Sequence, residues 1–440
     1  MQTILSLLIL AWLILRIRKI YFTNDVQMRV VSRIWEEPYL LSPNMYFTIF
    51  TICTAPIFLG SLSLFKYALW FLLILLLIFT RVIRIRLEWM TLTYALFFAW
   101  LCITMTYTPV PRDGAMMLVK YALPMLFLWL GYSSLSNEKD VIVLLKVVNI
   151  VGCIWCLVMG GFAATFIPPL YGFMMGICST YAGFADFLTS IFIVPILLYW
   201  LTKDKKYIYC TLWMILSTVL QSVRTGMGGM LLVFAFAILL KDRWKAVPGL
   251  LIASAVFVGT ILFVPDVNKK FFGDKGGSVT AMEVATGEAL AMDNIEMSGR
   301  EYMWERVLEN CYKGNETVGG GLGSSGRFVK NYGAETNGLE MMHNDYLQIL
   351  CDSGKVGIVL LILFYLTVIL KVSSHVALRR SSNLVRVTGI MALPSLAGIA
   401  FSMYFDNVVS NSMQSMVMPY IFLGFFLKAL DIERANNVES

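Results

Sequence analysis

The stretch from residue 141 to residue 165 reads VIVLLKVVNIVGCIWCLVMGGFAAT, an apolar run with one charged side chain, Lys146. A run of this length can cross a hydrocarbon core about 30 Å thick as a helix. Comparable runs occupy residues 87–107 and 246–265. Lipid offers no partner for backbone amides, so such runs must be helices or the strands of a closed barrel, and barrel strands alternate apolar with polar residues. These runs do not alternate, so we predict helices.

The composition of the whole chain agrees with this interpretation. Of its 440 residues, 58% are hydrophobic and 14% are charged, which lies far outside the range of soluble domains. Cys153 and Cys156 have the CxxC spacing of redox and zinc sites, but their position inside a predicted span favours an apolar packing role. We predict an all-α, polytopic helical membrane protein with 12 or 13 transmembrane helices. The count depends on whether the first apolar run, residues 1–15, crosses the membrane.

Basic residues give the predicted orientation, because short loops rich in Arg and Lys stay in the cytoplasm. On one side of the predicted membrane every connecting segment carries Arg or Lys, whereas the short loops on the other side hold only Lys66, Arg112 and Arg224. The net charge of +7 therefore reflects basic residues that set the orientation in the membrane, and it does not indicate nucleic-acid binding. The same pattern predicts that the long polar segment, residues 266–345, lies outside the cytoplasm.

This polar segment divides the chain into three predicted parts. They are an N-terminal transmembrane helix bundle (residues 1–265), an extracytoplasmic, periplasmic loop with short helices (residues 266–345) and the C-terminal transmembrane helices (residues 346–440). Within the loop we predict an amphipathic helix at residues 298–312, where Ser298 and Glu301 have the spacing of a capping box. We expect the chemistry of the protein in or beside this loop.

Residues 319–326 of the loop read GGGLGSSG, which includes the letters of a GxGxxG motif. No predicted strand precedes the motif and nucleotide cofactors are scarce outside the cytoplasm, so it is weak support for a dinucleotide site. Gly321 and Gly323 instead allow the backbone to turn tightly. Either simple loop geometry or direct contact with a ligand explains them.

The chain has two histidines, and they lie in different settings. His375 falls in a basic cytoplasmic segment and is predicted to face solvent. His343 lies where the loop re-enters the membrane and is followed by Asn344 and Asp345. Histidine is the side chain best suited to exchange a proton near neutral pH. His343 is therefore a candidate for catalysis, with a structural hydrogen bond as the alternative.

Two arginines are predicted on the outer side of the membrane. Arg224 lies in a near-continuous apolar stretch, where a guanidinium must face a polar cavity or an anion, and Arg300 lies at the head of the predicted loop helix. Two planar guanidiniums suit phosphate or pyrophosphate, and ordinary ion pairs with Glu or Asp are the alternative. Asp186, near the outer end of a predicted span, is a further candidate for the same cavity. Lys120 is predicted to extend from a span end to the interface.

These motifs, in this order, resemble the O-antigen ligase and O-antigen polymerase family of bacterial membrane glycosyltransferases. The resemblance covers roughly residues 207–370. It is carried by Ser222-Val-Arg224 at the end of a span, Ser298-Gly-Arg300 and Trp304 in the loop, the glycines from Gly319 to Gly323, and His343-Asn-Asp-Tyr-Leu347 followed by Gly354 and Gly357.

The resemblance implies an enzyme of the bacterial inner membrane with its active site on the extracytoplasmic side. It would move a glycan en bloc from an undecaprenyl-pyrophosphate carrier to an acceptor hydroxyl, with Arg224 and Arg300 holding the pyrophosphate and His343 activating the acceptor. Attack from the His343 side would invert the anomeric centre. No Asp-x-Asp sequence occurs, which favours chemistry without a metal or another cofactor. The implied substrate-binding residues are Arg224, Arg300, Trp304, Asn344, Tyr346, Gly321, Gly323 and Asp186.

Three functions stay open on the sequence. The spelling of residues 343–347 favours an O-antigen or exopolysaccharide polymerase, which extends a glycan on its lipid carrier and can work with a chain-length regulator. An O-antigen ligase of lipopolysaccharide biosynthesis would instead move finished polymer to lipid A-core. A lipid-linked oligosaccharide flippase or other transporter is the alternative from another class. A transporter predicts charges at mid-membrane depth and paired halves, of which the sequence shows no clear case.

Overall fold

The computed structural model describes residues 42–57, 68, 70–72, 75, 88–177, 181–273, 279, 281–286, 299–336, 338–376, 381–411 and 413–439. The first predicted span, residues 1–15, lies outside these ranges, as do most of the predicted span at residues 67–80 and Ser298 of the predicted capping box. Within the described residues every regular element of secondary structure is a helix. The all-α fold class is therefore confirmed.

The helices of the N-terminal half follow one another with short connections. Two of them begin at capping side chains, since Ser42 accepts a hydrogen bond from the Met45 amide at 3.2 Å and Asn137 accepts one from the Lys139 amide at 2.8 Å. In chain order they are α1 (Pro43–Thr54), α2 (Trp89–Thr104), α3 (Pro111–Ser134), α4 (Glu138–Met159), α5 (Gly161–Phe166), α6 (Pro168–Ile177), α7 (Tyr181–Ile191), α8 (Ile193–Thr202), α9 (Lys206–Leu220), α10 (Arg224–Asp242) and α11 (Val247–Phe263).

The C-terminal half holds the polar segment at residues 266–345 and the last long helices. Its helices are α12 (Pro265–Phe272), α13 (Ala281–Thr286), α14 (Arg300–Val307), α15 (Ser324–Thr336), α16 (Asp345–Val376), α17 (Asn383–Phe405), α18 (Val408–Asn411) and α19 (Gln414–Glu439). A π-helical turn, Leu308–Tyr312, extends α14 and completes most of the helix predicted at residues 298–312. The fully buried rings of Phe422, Phe425 and Phe426 place α19 in the core, where it packs against α3 and α17.

Seven helical segments in the described ranges are long and apolar enough to cross a membrane, which confirms a multi-pass membrane protein. They are Pro111–Ser134, Glu138–Phe166, Ala182–Thr202, Arg224–Asp242, Asp345–Val376, Asn383–Phe405 and Gln414–Asn437. The helices α11 and α12 meet at 88° and add an eighth if the bent pair is one span, while α2 and α9 are apolar but shorter. The predicted count of 12 or 13 also used residues outside the described ranges and stays a prediction.

The glycine-rich run of the loop packs around a break in α16. Gly354 has φ +68° inside this helix, so the helix changes direction there. Asp352, just before the break, is buried and accepts hydrogen bonds from the Gly323 amide at 2.8 Å and from the Ser325 amide at 2.9 Å. The Ser325 hydroxyl donates to the same carboxylate at 2.6 Å. These charge-assisted bonds fix the start of α15 to the middle of α16.

Backbone crowding explains why glycines occupy this run. A Cβ added at Gly321, where φ is +95°, would lie 2.5 Å from the Thr108 Cα, and one added at Gly354 would lie 2.2 Å from the Thr317 carbonyl oxygen. Both positions combine a left-handed backbone with contact against main chain that cannot move aside. The loop-geometry explanation of Gly321 therefore has direct structural support.

We predict that Gly354→Ala destabilises the folded protein, whereas Gly172→Ala does not. The methyl group at Gly354 would overlap the Thr317 carbonyl and adopt an unfavourable φ, at a cost of about 1–3 kcal/mol or more. At Gly172, within α6, nothing lies within 4 Å of an added Cβ. The measurement is the thermal unfolding midpoint of both variants in one detergent. Equal midpoints for the two variants would contradict this description of the break.

Candidate active site

Arg224 lies at the first turn of α10, directly after a tight connection from α9. Ser222 has φ +52° and its amide donates to the Val219 carbonyl at 2.8 Å, which turns the chain sharply. Val223 is extended and precedes the helix. The turn leaves the Arg224 side chain half-buried at the helix N-terminus, where the N–H groups of the first turn also favour an anion.

Arg224 and Arg300 line the same cavity, here called the arginine pocket, of about 100 Å³. The Arg224 guanidinium lies 5.8 Å from the centroid of the Phe271 ring, and Arg300 Nη1 donates to the Phe405 carbonyl at 2.6 Å. Phenylalanine rings therefore surround the two cations and limit contact with water, which strengthens any attraction to an anion. The full lining is Arg224, Thr225, Gly228, Phe257, Phe271, Arg300, Phe401 and Phe405.

Lys270 of α12 adds a third cation close to this pocket. Its ammonium donates to the Gln221 carbonyl at 3.1 Å, three residues before Arg224. Phe271, the next residue, lines the arginine pocket. The right-angled bend between α11 and α12 brings Lys270 and Phe271 to the start of α10. Lys270 is not predicted from the sequence, because Pro265 indicates the end of a span but not the direction of the helix that follows.

His343 is held by a carboxylate that follows α17. Its Nδ1 lies 3.1 Å from Oδ1 of Asp406, and the same oxygen accepts a hydrogen bond from the Asn407 amide at 2.8 Å. Asp406 is only 6% exposed. His343 itself has φ +52°, a sparsely populated conformation for a residue with a side chain, and such residues cluster at functional sites. The imidazole is therefore fixed in orientation by a buried acidic partner.

Arg300 and His343 bind two consecutive residues, Phe405 and Asp406. Arg300 donates to the carbonyl of Phe405, and His343 pairs with the carboxylate of Asp406. Adding the covalent path between these two acceptors to both contact distances puts Arg300 Nη1 and His343 Nδ1 no more than about 14 Å apart. Because Arg300 also shares a pocket with Arg224, the structure brings together all three residues that the sequence selected as catalytic.

Trp304 connects helix α14 to the residue before His343 and to the end of α17. Its indole Nε1 donates to the Met342 carbonyl at 2.7 Å, directly before His343. Its ring meets Tyr404 edge-on, with centroids 5.9 Å apart. Trp304 therefore positions the backbone of His343 against the end of α17. Its predicted contact with substrate stays a prediction.

The residues after His343 make structural contacts. Asn344 Oδ1 accepts a hydrogen bond from the Leu347 amide at 2.9 Å and so caps α16. Asp345 is fully buried and accepts one from the Val409 amide at 3.0 Å, and the Tyr346 hydroxyl donates to the Ala400 carbonyl at 2.8 Å. These bonds fix the start of α16 against α17 and α18. The substrate-binding roles expected for Asn344 and Tyr346 stay predictions.

The other selected residues, Gly321, Gly323 and Asp186, do not line the arginine pocket. The Gly321 and Gly323 amides donate to the Asp352 carbonyl oxygen at 3.0 Å and to its carboxylate at 2.8 Å. Asp186 is fully buried in α7, and the lining of the arginine pocket does not include it among the described residues. Its neighbour Ala185 faces Gly226 of α10. The expected contact of Asp186 with substrate stays a prediction.

The sequence analysis did not select Asp406, the partner of His343. One cue was present, since an acidic residue directly follows the predicted span at residues 387–405. Nothing in the sequence pairs it with a histidine 63 positions away. Within the described residues no group of three or more His, Cys, Asp or Glu side chains could hold a metal ion. The expectation of metal-free chemistry, drawn from the missing Asp-x-Asp, stays a prediction.

Residues 209–362 match the family model described as O-antigen ligase. No curated protein matches the chain. The matched segment runs from α9 into α16 and contains Arg224, Arg300 and His343. The match covers about a third of the chain and agrees with the resemblance to the O-antigen ligase and polymerase family that the sequence motifs carry.

Proposed function

We propose that the protein transfers a glycan en bloc from an undecaprenyl-pyrophosphate carrier to a sugar hydroxyl of an acceptor, at the extracytoplasmic face of the bacterial inner membrane. The observation that supports this most strongly is that Arg224, Arg300 and His343 lie in one region of the fold. Arg224 and Arg300 share one pocket, and Arg300 and His343 are anchored on Phe405 and Asp406. Two guanidiniums beside a carboxylate-bound imidazole suit the departure of a diphosphate and the activation of a hydroxyl.

The diphosphate of the carrier would bind in the arginine pocket. Each guanidinium can donate two parallel hydrogen bonds to phosphate oxygens, and the phenylalanine walls reduce screening of the charges. Negative charge grows on the bridging oxygen as the bond to the sugar breaks. Positive groups already in place lower the energy of that transition state without reorganisation. We therefore propose that the arginines supply the charge that a metal ion supplies in other glycosyltransferases.

The polyprenyl chain would lie in an apolar cavity of about 370 Å³ between α9, α10 and α11. This cavity meets the arginine pocket at two places. Phe257 lines both, and Met227 of the apolar cavity directly precedes Gly228 of the arginine pocket. A ligand with a charged head and a long hydrocarbon tail matches one charged pocket beside one apolar cavity. This adjacency supports a lipid-linked donor.

His343 would act as the general base. The Asp406 carboxylate beside Nδ1 favours the tautomer with its proton on Nδ1, which leaves Nε2 as the basic nitrogen. Nε2 would take the proton of the acceptor hydroxyl as that oxygen forms a bond to the anomeric carbon. The bond from this carbon to the diphosphate oxygen breaks at the same time, and the diphosphate leaves on the arginine side. Attack and departure on opposite faces invert the configuration.

Among the family's activities we propose a polymerase of O-antigen or exopolysaccharide. The sequence His-Asn-Asp-Tyr-Leu at residues 343–347 supports this choice over a ligase that adds polymer to lipid A-core. A polymerase would use two lipid-linked glycans, one as donor and one as acceptor, and a chain-length regulator is a possible partner. A transporter would require neither paired arginines in a pocket nor a carboxylate-bound histidine near them.

We predict that His343→Ala leaves the protein in the membrane but abolishes long-chain glycan, while single carrier-linked repeat units persist. The reason is loss of the base that activates the acceptor. His375→Ala, which removes the half-buried second histidine near the end of α16, is the matched control and should keep normal chains. The measurement is the glycan length ladder on a gel, with protein amount checked by immunoblot.

The same experiment separates the alternatives. A normal ladder from His343→Ala would contradict the proposed role of this residue. Accumulation of carrier-linked polymer with unsubstituted lipopolysaccharide would identify a ligase. Purified protein that lengthens carrier-linked repeat units without an ion gradient would exclude transport as its sole activity.

We predict that Arg224→Lys and Arg300→Lys each lower the transfer rate by about tenfold or more, because lysine keeps the charge but loses the two-pronged hydrogen bonding to phosphate. The control is Arg306→Lys, at an exposed arginine of α14 that pairs with Glu309 at 3.3 Å. Transfer is measured with purified protein and a lipid-linked oligosaccharide. If all three variants lose activity equally, or none does, the pocket does not bind the diphosphate.

A further inference from the structure

A second cavity, of about 240 Å³, is lined by Met342 and Asn407, the chain neighbours of His343 and of its partner Asp406. Three consecutive residues define this arrangement. Phe405 lines the arginine pocket, Asp406 pairs with His343, and Asn407 lines the second cavity. Met342, directly before His343, also lines the second cavity. The segments that hold the imidazole therefore form part of the wall between two cavities.

The walls of the second cavity are polar and carry both signs of charge. Arg327 of α15 forms an ion pair with Asp113 of α3, with 2.7 Å between Nε and Oδ2. The Lys120 ammonium donates to the Ser410 carbonyl. These contacts join α3, α15 and α18 into one fixed surface. The full lining is Asp113, Met116, Met117, Lys120, Gly323, Gly326, Arg327, Val329, Lys330, Glu340, Met341, Met342, Gln348, Asn407 and Ser410.

One polar group at this cavity lacks a partner. Asn407 is 3% exposed, and its Oδ1 accepts no hydrogen bond from the described residues. A buried oxygen without a donor costs free energy, so an unpaired one calls for an explanation. A hydroxyl group bound in the cavity would supply the missing donor after a small adjustment of the side chain.

The size and chemistry of the cavity suit the end of a sugar chain. Its volume is below the roughly 300–1,000 Å³ of sites that enclose a drug-sized ligand, so it suits one or two rings with the remainder outside. Carboxylates, amides and ammonium groups together offer both donors and acceptors, which is what vicinal hydroxyls require. A hydrocarbon chain would leave these groups without partners.

We propose that the second cavity is the acceptor subsite and holds the terminal sugar of the acceptor glycan, with the reacting hydroxyl towards His343. The inference rests on the proposed function, because it takes the arginine pocket as the donor site. Donor and acceptor would then approach the imidazole from two separate cavities, and the acceptor would need no contact with Arg224 or Arg300. Lys330 and Glu340, at the rim, would contact hydroxyls of the acceptor.

The test is protection of an introduced thiol from a maleimide in the purified full-length protein. Lys330→Cys places the thiol in the second cavity, and Lys313→Cys places one on an exposed part of the same external segment, outside the cavity lining. Thr225→Cys places one in the arginine pocket. The two probes are the repeat-unit oligosaccharide of the host polysaccharide, freed from its carrier, and undecaprenyl pyrophosphate without a glycan. Labelling of the unchanged protein gives the background from native cysteines.

The oligosaccharide should slow alkylation of the Lys330→Cys protein about tenfold when present at ten times its Kd, and leave the Lys313→Cys protein unaffected. Undecaprenyl pyrophosphate should protect only the Thr225→Cys protein. The acceptor-subsite assignment is wrong if the oligosaccharide fails to protect the Lys330→Cys protein or protects the Lys313→Cys control equally. It is also wrong if undecaprenyl pyrophosphate protects the Lys330→Cys protein. If only the protection at Thr225→Cys fails, the donor site of the proposed function is wrong and the second cavity still binds a glycan.

Discussion

The end of α17 is the point on which the candidate site depends. Arg300 donates to the Phe405 carbonyl and His343 pairs with the Asp406 carboxylate. Two adjacent residues therefore hold two side chains that come from an earlier part of the chain. The last carbonyls of a helix have no partner within it and carry partial negative charge. A guanidinium therefore binds there favourably. The same contact that completes the helix end also holds a cation at the residue before Asp406, the partner of the imidazole.

The segment at residues 266–345 keeps its place through contacts of its own and through contacts with α16. Trp304 donates to the Met342 carbonyl, and the Asp352 carboxylate accepts from Gly323 and Ser325. Each contact joins the segment to α16 or to the residue before His343. Ser222, before Arg224, and His343 share a left-handed backbone. Strain at both positions persists because the surrounding contacts determine the conformation.

The sequence predicted the parts of the structure that follow from local chemistry. Apolar runs predicted the helices, and a guanidinium in apolar sequence marked Arg224 as a residue that lines a cavity, which it shares with Arg300 and four phenylalanines. It did not predict α15, which begins at glycines and serines that bind Asp352, 27 to 29 residues further on. It also did not predict that Asp406 would partner His343. Both depend on tertiary hydrogen bonds, and such pairs leave no periodic signal in a single sequence.

A density map of the protein bound to undecaprenyl pyrophosphate, obtained by electron cryomicroscopy, tests the central claim most directly. We expect the diphosphate between the guanidiniums of Arg224 and Arg300, with oxygens about 2.7–2.9 Å from their nitrogens, and the hydrocarbon chain between α9, α10 and α11. A diphosphate bound elsewhere, with neither arginine in contact, would contradict the assignment of this pocket.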